Sequence, residues 1–147
     1  MRARPRALAC AAIAASLLVS ACGEDPDTAA TRRTVTGIVT KFAAASGPGA
    51  CRLLSATALS DLYGRGSAPS AADTRRNRAN CVRRSAKFKA APVSITTVKF
   101  FGGGDSVKVG ALSRDRATLY TVSLSRPQGS AGPWRIDLIT RRHAAGA

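Results

Sequence analysis

Histidine is almost missing from this chain: His143, in the terminal tail, is the only one. A Ser-His-Asp triad needs an imidazole beside its nucleophile, so a single tail histidine excludes that chemistry. It also leaves no histidine-based zinc set, and no Cys-x-x-Cys spacing exists to replace it. No metal and no other cofactor is expected. Acids are scarce as well, with eight Asp and Glu against 23 Lys and Arg. No apolar run approaches the roughly 20 residues that an ordinary membrane-spanning helix needs. Gly102-Gly103-Gly104 is not followed by Gly-Lys-Ser/Thr, so it reads as a hairpin turn and not as a phosphate loop.

The N-terminus does carry a clear signal. Arg2, Arg4 and Arg6 precede the apolar stretch ALACAAIAASLLV, and small residues follow. A basic segment, a short apolar segment and a small-residue cleavage site describe a secretory leader. The leader closes on Leu18-Val19-Ser20-Ala21-Cys22, the pattern of a bacterial lipobox. The expectation is that residues 1–21 are removed and that Cys22 receives a diacylglyceryl group. An ordinary secretory leader with a chance cysteine is the alternative. One acyl chain binds a membrane only marginally, whereas two anchor it stably. The protein is therefore expected to be exported and held at the outer face of the cytoplasmic membrane. Cys10 leaves with the leader. Cys51 and Cys81 remain, an even pair in an oxidising setting, and are expected to form a disulfide. Two buried thiols are the alternative.

Residues 22–31 are polar, acidic and proline-containing, and read as a tether that cannot bury enough apolar surface to fold. Residues 32–147 form one domain. The three leader arginines offset the three acids of the tether, so the domain's 20 bases against 5 acids account for the whole chain's +15.

Helical spacing comes first along the domain. Val35, Ile38, Val39, Phe42 and Ala45 form one stripe that ends at Ser46-Gly47-Pro48-Gly49. A second helical piece spans about 50–63, with Ser55 or Thr57 able to cap a break inside it. Ser70-x-x-Asp73 resembles a capping box that opens a third helix to about Lys87. Ala72, Ala79, Val82 and Ala86 lie on one side of that helix, and Cys81 lies off it. After Pro92 the period changes to two. Val93, Ile95, Thr97 and Lys99 share one face of a first strand, and Val107, Val109 and Ala111 one face of a second. Thr118, Tyr120, Val122 and Leu124 follow in a third, and Trp134, Ile136, Leu138 and Thr140 in a fourth. That alternation puts Arg135, Asp137 and Ile139 on the opposite face of the last strand. Helices first and antiparallel strands after give an α+β class, with N-terminal helices packed on a four-stranded antiparallel sheet.

Trp134-Arg135-Ile136-Asp137, after a glycine-proline turn, resembles the final strand of the nuclear-transport-factor-two-like superfamily, which includes SnoaL-like and ketosteroid-isomerase-like proteins. Cys51-Arg52-Leu53-Leu54-Ser55 is similar to the second helix of exported bacterial lipoproteins of that type, and Cys81 sits where their second cysteine often falls. The resemblance spans residues 32–141. It implies a cone, with a curved sheet wrapped against helices and a pocket between them. Enzymatic members place a catalytic Asp, His or Tyr set in that pocket, and no such set can be assigned here.

Asp61, Tyr63, Tyr120 and Asp137 are the polar groups able to reach such a pocket. Asp137 with Tyr120 could imitate the base and oxyanion donor of an isomerase. Asp137 paired with a surface arginine, and Tyr120 filling the core, is the simpler alternative. Residues 75–89 hold seven bases and no acid. Arg76, Arg83, Arg84 and Lys87 there could meet anionic lipid or cell-wall polymer, or be a solvated helix face. Nucleic acid is not an expected partner of an exported, anchored domain. Three functions stay open. One is a non-enzymatic domain binding a small molecule or an envelope protein, another an isomerase- or hydrolase-like enzyme, and the third a basic structural module of the envelope.

Overall fold

Thr28 opens the first helix, because its hydroxyl accepts a hydrogen bond from the Thr31 N–H at 3.1 Å and so satisfies one orphan donor of the first turn. The computed structural model describes residues 28–45, 47–64, 69–85, 91–127 and 132–144. The leader, Cys22, most of the tether, Ala86 and Lys87 lie outside them. Helix α1 spans Ala29–Ala44, so its first turn takes up the last three residues of the stretch read as tether. Val35 and Val39 are buried on it, with Ile38 and Phe42 packed beside them, which is the stripe expected from the 3.6-residue period. On its wet side Thr34, Thr36 and Thr40 donate to carbonyls four residues back, at 2.9–3.0 Å.

Helix α2 (Pro48–Leu53) starts with proline at its first position, where a missing N–H costs nothing. Helix α3 (Ala56–Tyr63) follows, and Ser55 caps it by accepting from the Ala58 N–H at 3.1 Å. The break inside 50–63 is therefore at Ser55. Helix α4 spans Ala71–Ser85. Its expected capping box is present: the Ser70 hydroxyl accepts from the Asp73 N–H, and the Asp73 carboxylate accepts from the Ser70 N–H and hydroxyl.

The expected face of α4 is wrong. Ala72, Ala79 and Val82 face solvent, and the buried stripe is Asn77, Cys81 and Ser85. The reason is covalent. Cys51 and Cys81, both buried, form a disulfide with Cα atoms 6.0 Å apart. That bond fixes the rotation of α4 about its axis and places Cys81 inward whatever its neighbours prefer.

The sheet runs β1 (Val93–Phe101), β2 (Ser106–Ser113), β3 (Thr118–Ser125) and β4 (Arg135–His143) in simple antiparallel order. One face packs on the helices through Val107, Val109, Ala111, Val122, Leu124 and Ile136, all buried. The β1–β2 turn needs glycine at every position, because Gly102, Gly103 and Gly104 have φ of 59°, 70° and 95°. The helices are also stitched to the sheet edge. Leu54 bridges Ile136 in parallel, and the Ser55 N–H donates to the Ile136 carbonyl at 2.8 Å.

Two bulges change the faces expected from strict alternation. In β1 the register steps between Ile95 and Thr97, so Val98 and Phe100 turn toward the core while Thr97 and Lys99 face out. In β4 Ser123 pairs with Leu138 but Leu124 pairs with Ile136. Asp137 is the extra residue, and beyond it Ile139 packs on the core while Leu138 is 50% exposed. The expected grouping of Trp134, Ile136 and Leu138 on one face therefore fails after Ile136. A bulge shifts side-chain parity by one residue and flips everything past it.

Candidate functional site

A cavity of about 500 Å³ lies between the helices and the inner face of the sheet. Phe42 and Val39 of α1, Leu54, and Val93, Val122 and Ile139 of the sheet supply much of its wall. Its size and apolar lining are those of a small-molecule site. Its polar groups are few: Tyr63 at the end of α3, Ser85 at the end of α4, Tyr120 on β3 and Arg141 on β4. Tyr120 and Arg141 are cross-strand partners, which brings the arginine to the same face as the tyrosine. Burial pushes the Tyr63 hydroxyl above its usual pKa of 10.0, against an opposing pull from the charge of Arg84.

A second, polar pocket of about 660 Å³ lies between α3 and α4. Ser60, Asp73, Arg76, Asn77, Asn80 and Arg84 line it. Leu62 and Tyr63 line both pockets, so the two share a wall. Arg76 is paired with Asp73 one turn away, and Arg83 donates to Asn80. Arg84 has no carboxylate partner among the described residues. Asn77 is 5% exposed and its side chain lines this pocket.

The residues singled out from the sequence separate into three groups. Tyr63 and Tyr120 come together around the apolar cavity. Asp61 is exposed on α3, and Asp137 is half-buried at the β4 bulge; neither lines either pocket. Arg76, Arg83 and Arg84 are all exposed on α4. Sequence reasoning missed Arg141, Asn77 and Asn80. Arg141 was hidden by the bulge that changes its face. Asn77 carried a usable signal, since it precedes Cys81 by one helical turn and must share its side. Trp134 is buried elsewhere, edge-on to Phe100 and under the Arg126 guanidinium, 5.1 Å from its ring centroid. Arg126 is held there by Asp105 at 3.0 Å.

Among the described residues no three His, Cys, Asp or Glu side chains gather to hold a metal ion. No helix among them is long and apolar enough to cross a membrane. The class defined is an α+β domain with an open four-stranded sheet, a cavity between its layers and a disulfide across its helices. Comparison of the chain with protein-family models, with curated proteins and with solved structures finds no match.

Proposed function

We propose that the mature protein is an exported lipoprotein, anchored through Cys22 at the outer face of the membrane. Its domain, of nuclear-transport-factor-two-like type, binds a small and largely apolar molecule without turning it over. One observation carries this: among the described residues, the apolar cavity between helices and sheet has no carboxylate in its lining. Acid–base catalysis needs titratable groups converging on one point, and Asp61 and Asp137 stay outside. Tyr63, Tyr120 and Arg141 suit the orientation of a ligand through hydrogen bonds. The test is native mass spectrometry of the full-length protein released from membranes in digitonin. A retained small molecule is expected, and it should be lost from an Ala111→Phe variant, since Ala111 lies buried on the cavity floor. Ligand-free wild-type protein whose thermal midpoint does not move with octanol would sink the proposal.

A further inference from the structure

The cavity and the polar pocket are neighbours. Leu62, 52% exposed, and Tyr63 belong to both linings. One side of this shared wall is apolar. The other carries two guanidinium groups, Arg76 and Arg84, and two amides, Asn77 and Asn80. Asn77 lines the polar pocket from a position on α4 that is otherwise buried. Gly64 gives it room: a Cβ there would sit 2.8 Å from the Asn77 Nδ2 and 2.7 Å from the Ser60 carbonyl oxygen. One carboxylate, Asp73, is also in the lining, but it is engaged by Ser70 and Arg76. Among the described residues Arg84 is left as the cation of this lining without an acid.

We propose that the two pockets form one site for an anionic amphiphile, with the chain in the apolar cavity and a phosphate or carboxylate head against Arg84, Arg76 and the Asn77 amide. This rests on the cavity binding an apolar molecule, and it adds the chemical class of that molecule and the end at which its charge sits. Arginine suits the head because its planar fork matches a two-oxygen acceptor. Tyr63 belongs to both linings, and its hydroxyl is under the influence of Arg84. A neutral chain would gain only the apolar half of the site.

The experiment titrates octyl phosphate, octanoate, octanol and inorganic phosphate into the full-length protein in digitonin, read by native mass spectrometry. Octyl phosphate is expected to bind at least tenfold more tightly than octanol, and octanoate should lie between them or match the phosphate. Inorganic phosphate alone should bind weakly and compete with octyl phosphate. Arg84→Gln should remove most of the preference for charge and leave octanol affinity unchanged, whereas Arg84→Lys should restore part of it. Arg84 is exposed, so neither variant threatens the fold. Equal affinities for octyl phosphate and octanol, or a preference untouched by Arg84→Gln, would overturn the charged-head assignment while leaving the apolar cavity in place. Tight binding of inorganic phosphate to which the chain adds nothing would overturn the joined site. Failure of all four probes to bind would overturn the cavity proposal itself, and this inference with it.

Discussion

Gly110 sits in the middle of the sheet, where β propensity disfavours glycine. Its reason is a neighbour. The bulge in β1 puts Thr96 and Thr97 side by side across from it, and a Cβ at position 110 would lie 2.8 and 2.5 Å from their hydroxyl oxygens. Threonine is stiff at χ1 and has little room to yield. Gly110→Ala is expected to destabilise the domain by about 1–3 kcal/mol. Adding Thr96→Ala and Thr97→Ala, which remove both oxygens, should shrink the cost of Gly110→Ala in urea unfolding, and an unchanged cost in that background would mean the clash is not the cause. Two aspartates make a second prediction at this scale. The Ser70 hydroxyl and N–H, and then Arg76, hold the Asp73 carboxyl below its usual 3.8. The Ser113 hydroxyl and Ala117 N–H do the same for Asp115. A carboxyl with a lower pKa when folded adds stability that is complete above its unfolded value and fades as pH falls through the folded one. The contribution of these two groups to the urea midpoint should therefore be full and independent of pH near neutrality and decline below about pH 4. Asp73→Asn with Asp115→Asn should flatten that decline; an unchanged slope would refute the assignment. Asp73 as a cap was legible in the sequence, because a capping box is a local pattern. Gly110 was not, because its constraint comes from another strand.

Elements were legible where local spacing decides and illegible where a partner decides. The stripe of α1, the caps at Ser55 and Ser70 and the core faces of β2 and β3 follow from period and composition alone. The rotation of α4 and the faces of β1 and β4 do not, since a disulfide and two bulges override the pattern. β4 offers the sharpest check. Strict alternation would bury Leu138 and expose Ile139; the bulge at Asp137 reverses them. Leu138→Ser should then change stability by less than about 0.5 kcal/mol, whereas Ile139→Ala should cost about 2 kcal/mol or more. Comparable losses from both, in urea unfolding, would contradict the bulge. The disulfide ties α2 to α4 across 30 residues. In the chain-entropy account a loop of that length stabilises by about 3–4 kcal/mol. Reductant should lower the thermal midpoint of the native protein and leave a Cys51→Ala, Cys81→Ala variant unmoved. A midpoint indifferent to reductant would show that the bridge contributes little.

At the scale of the whole molecule, the α+β class was readable because helical and strand periods occupy separate halves of the domain. The candidate site was only partly readable: its two tyrosines and Arg76 and Arg84 stand out in the sequence, but the inward side of α4 that presents Asn77 is set by the disulfide and the face of Arg141 by the β4 bulge. Net charge and proposed anchor act together at this scale, and they can be told apart by salt. Between Cys22 and Thr28 there are six Cα steps, at most about 20 Å fully extended. A lipid on Cys22 would thus hold the start of α1 close to the bilayer, and with it a domain whose bases outnumber its acids by 15. The acyl chains act by apolar burial, which salt does not weaken. The arginines of α4 act through exposed charge, which is screened within about 3 Å at 1 M salt. The anchored wild-type protein should therefore stay with membranes through a 1 M salt wash, and its N-terminal peptide should be a diacylated Cys22. Cys22→Ala should accumulate as uncleaved precursor. The same domain exported behind an ordinary secretory leader should associate with anionic membranes only at low salt. Replacing Arg76, Arg83, Arg84 and Lys87 with Gln should remove that association. Release of the wild-type protein by salt, or a water-soluble mature form beginning at an unmodified residue, would show that charge or export alone, and not a lipid, accounts for where it resides.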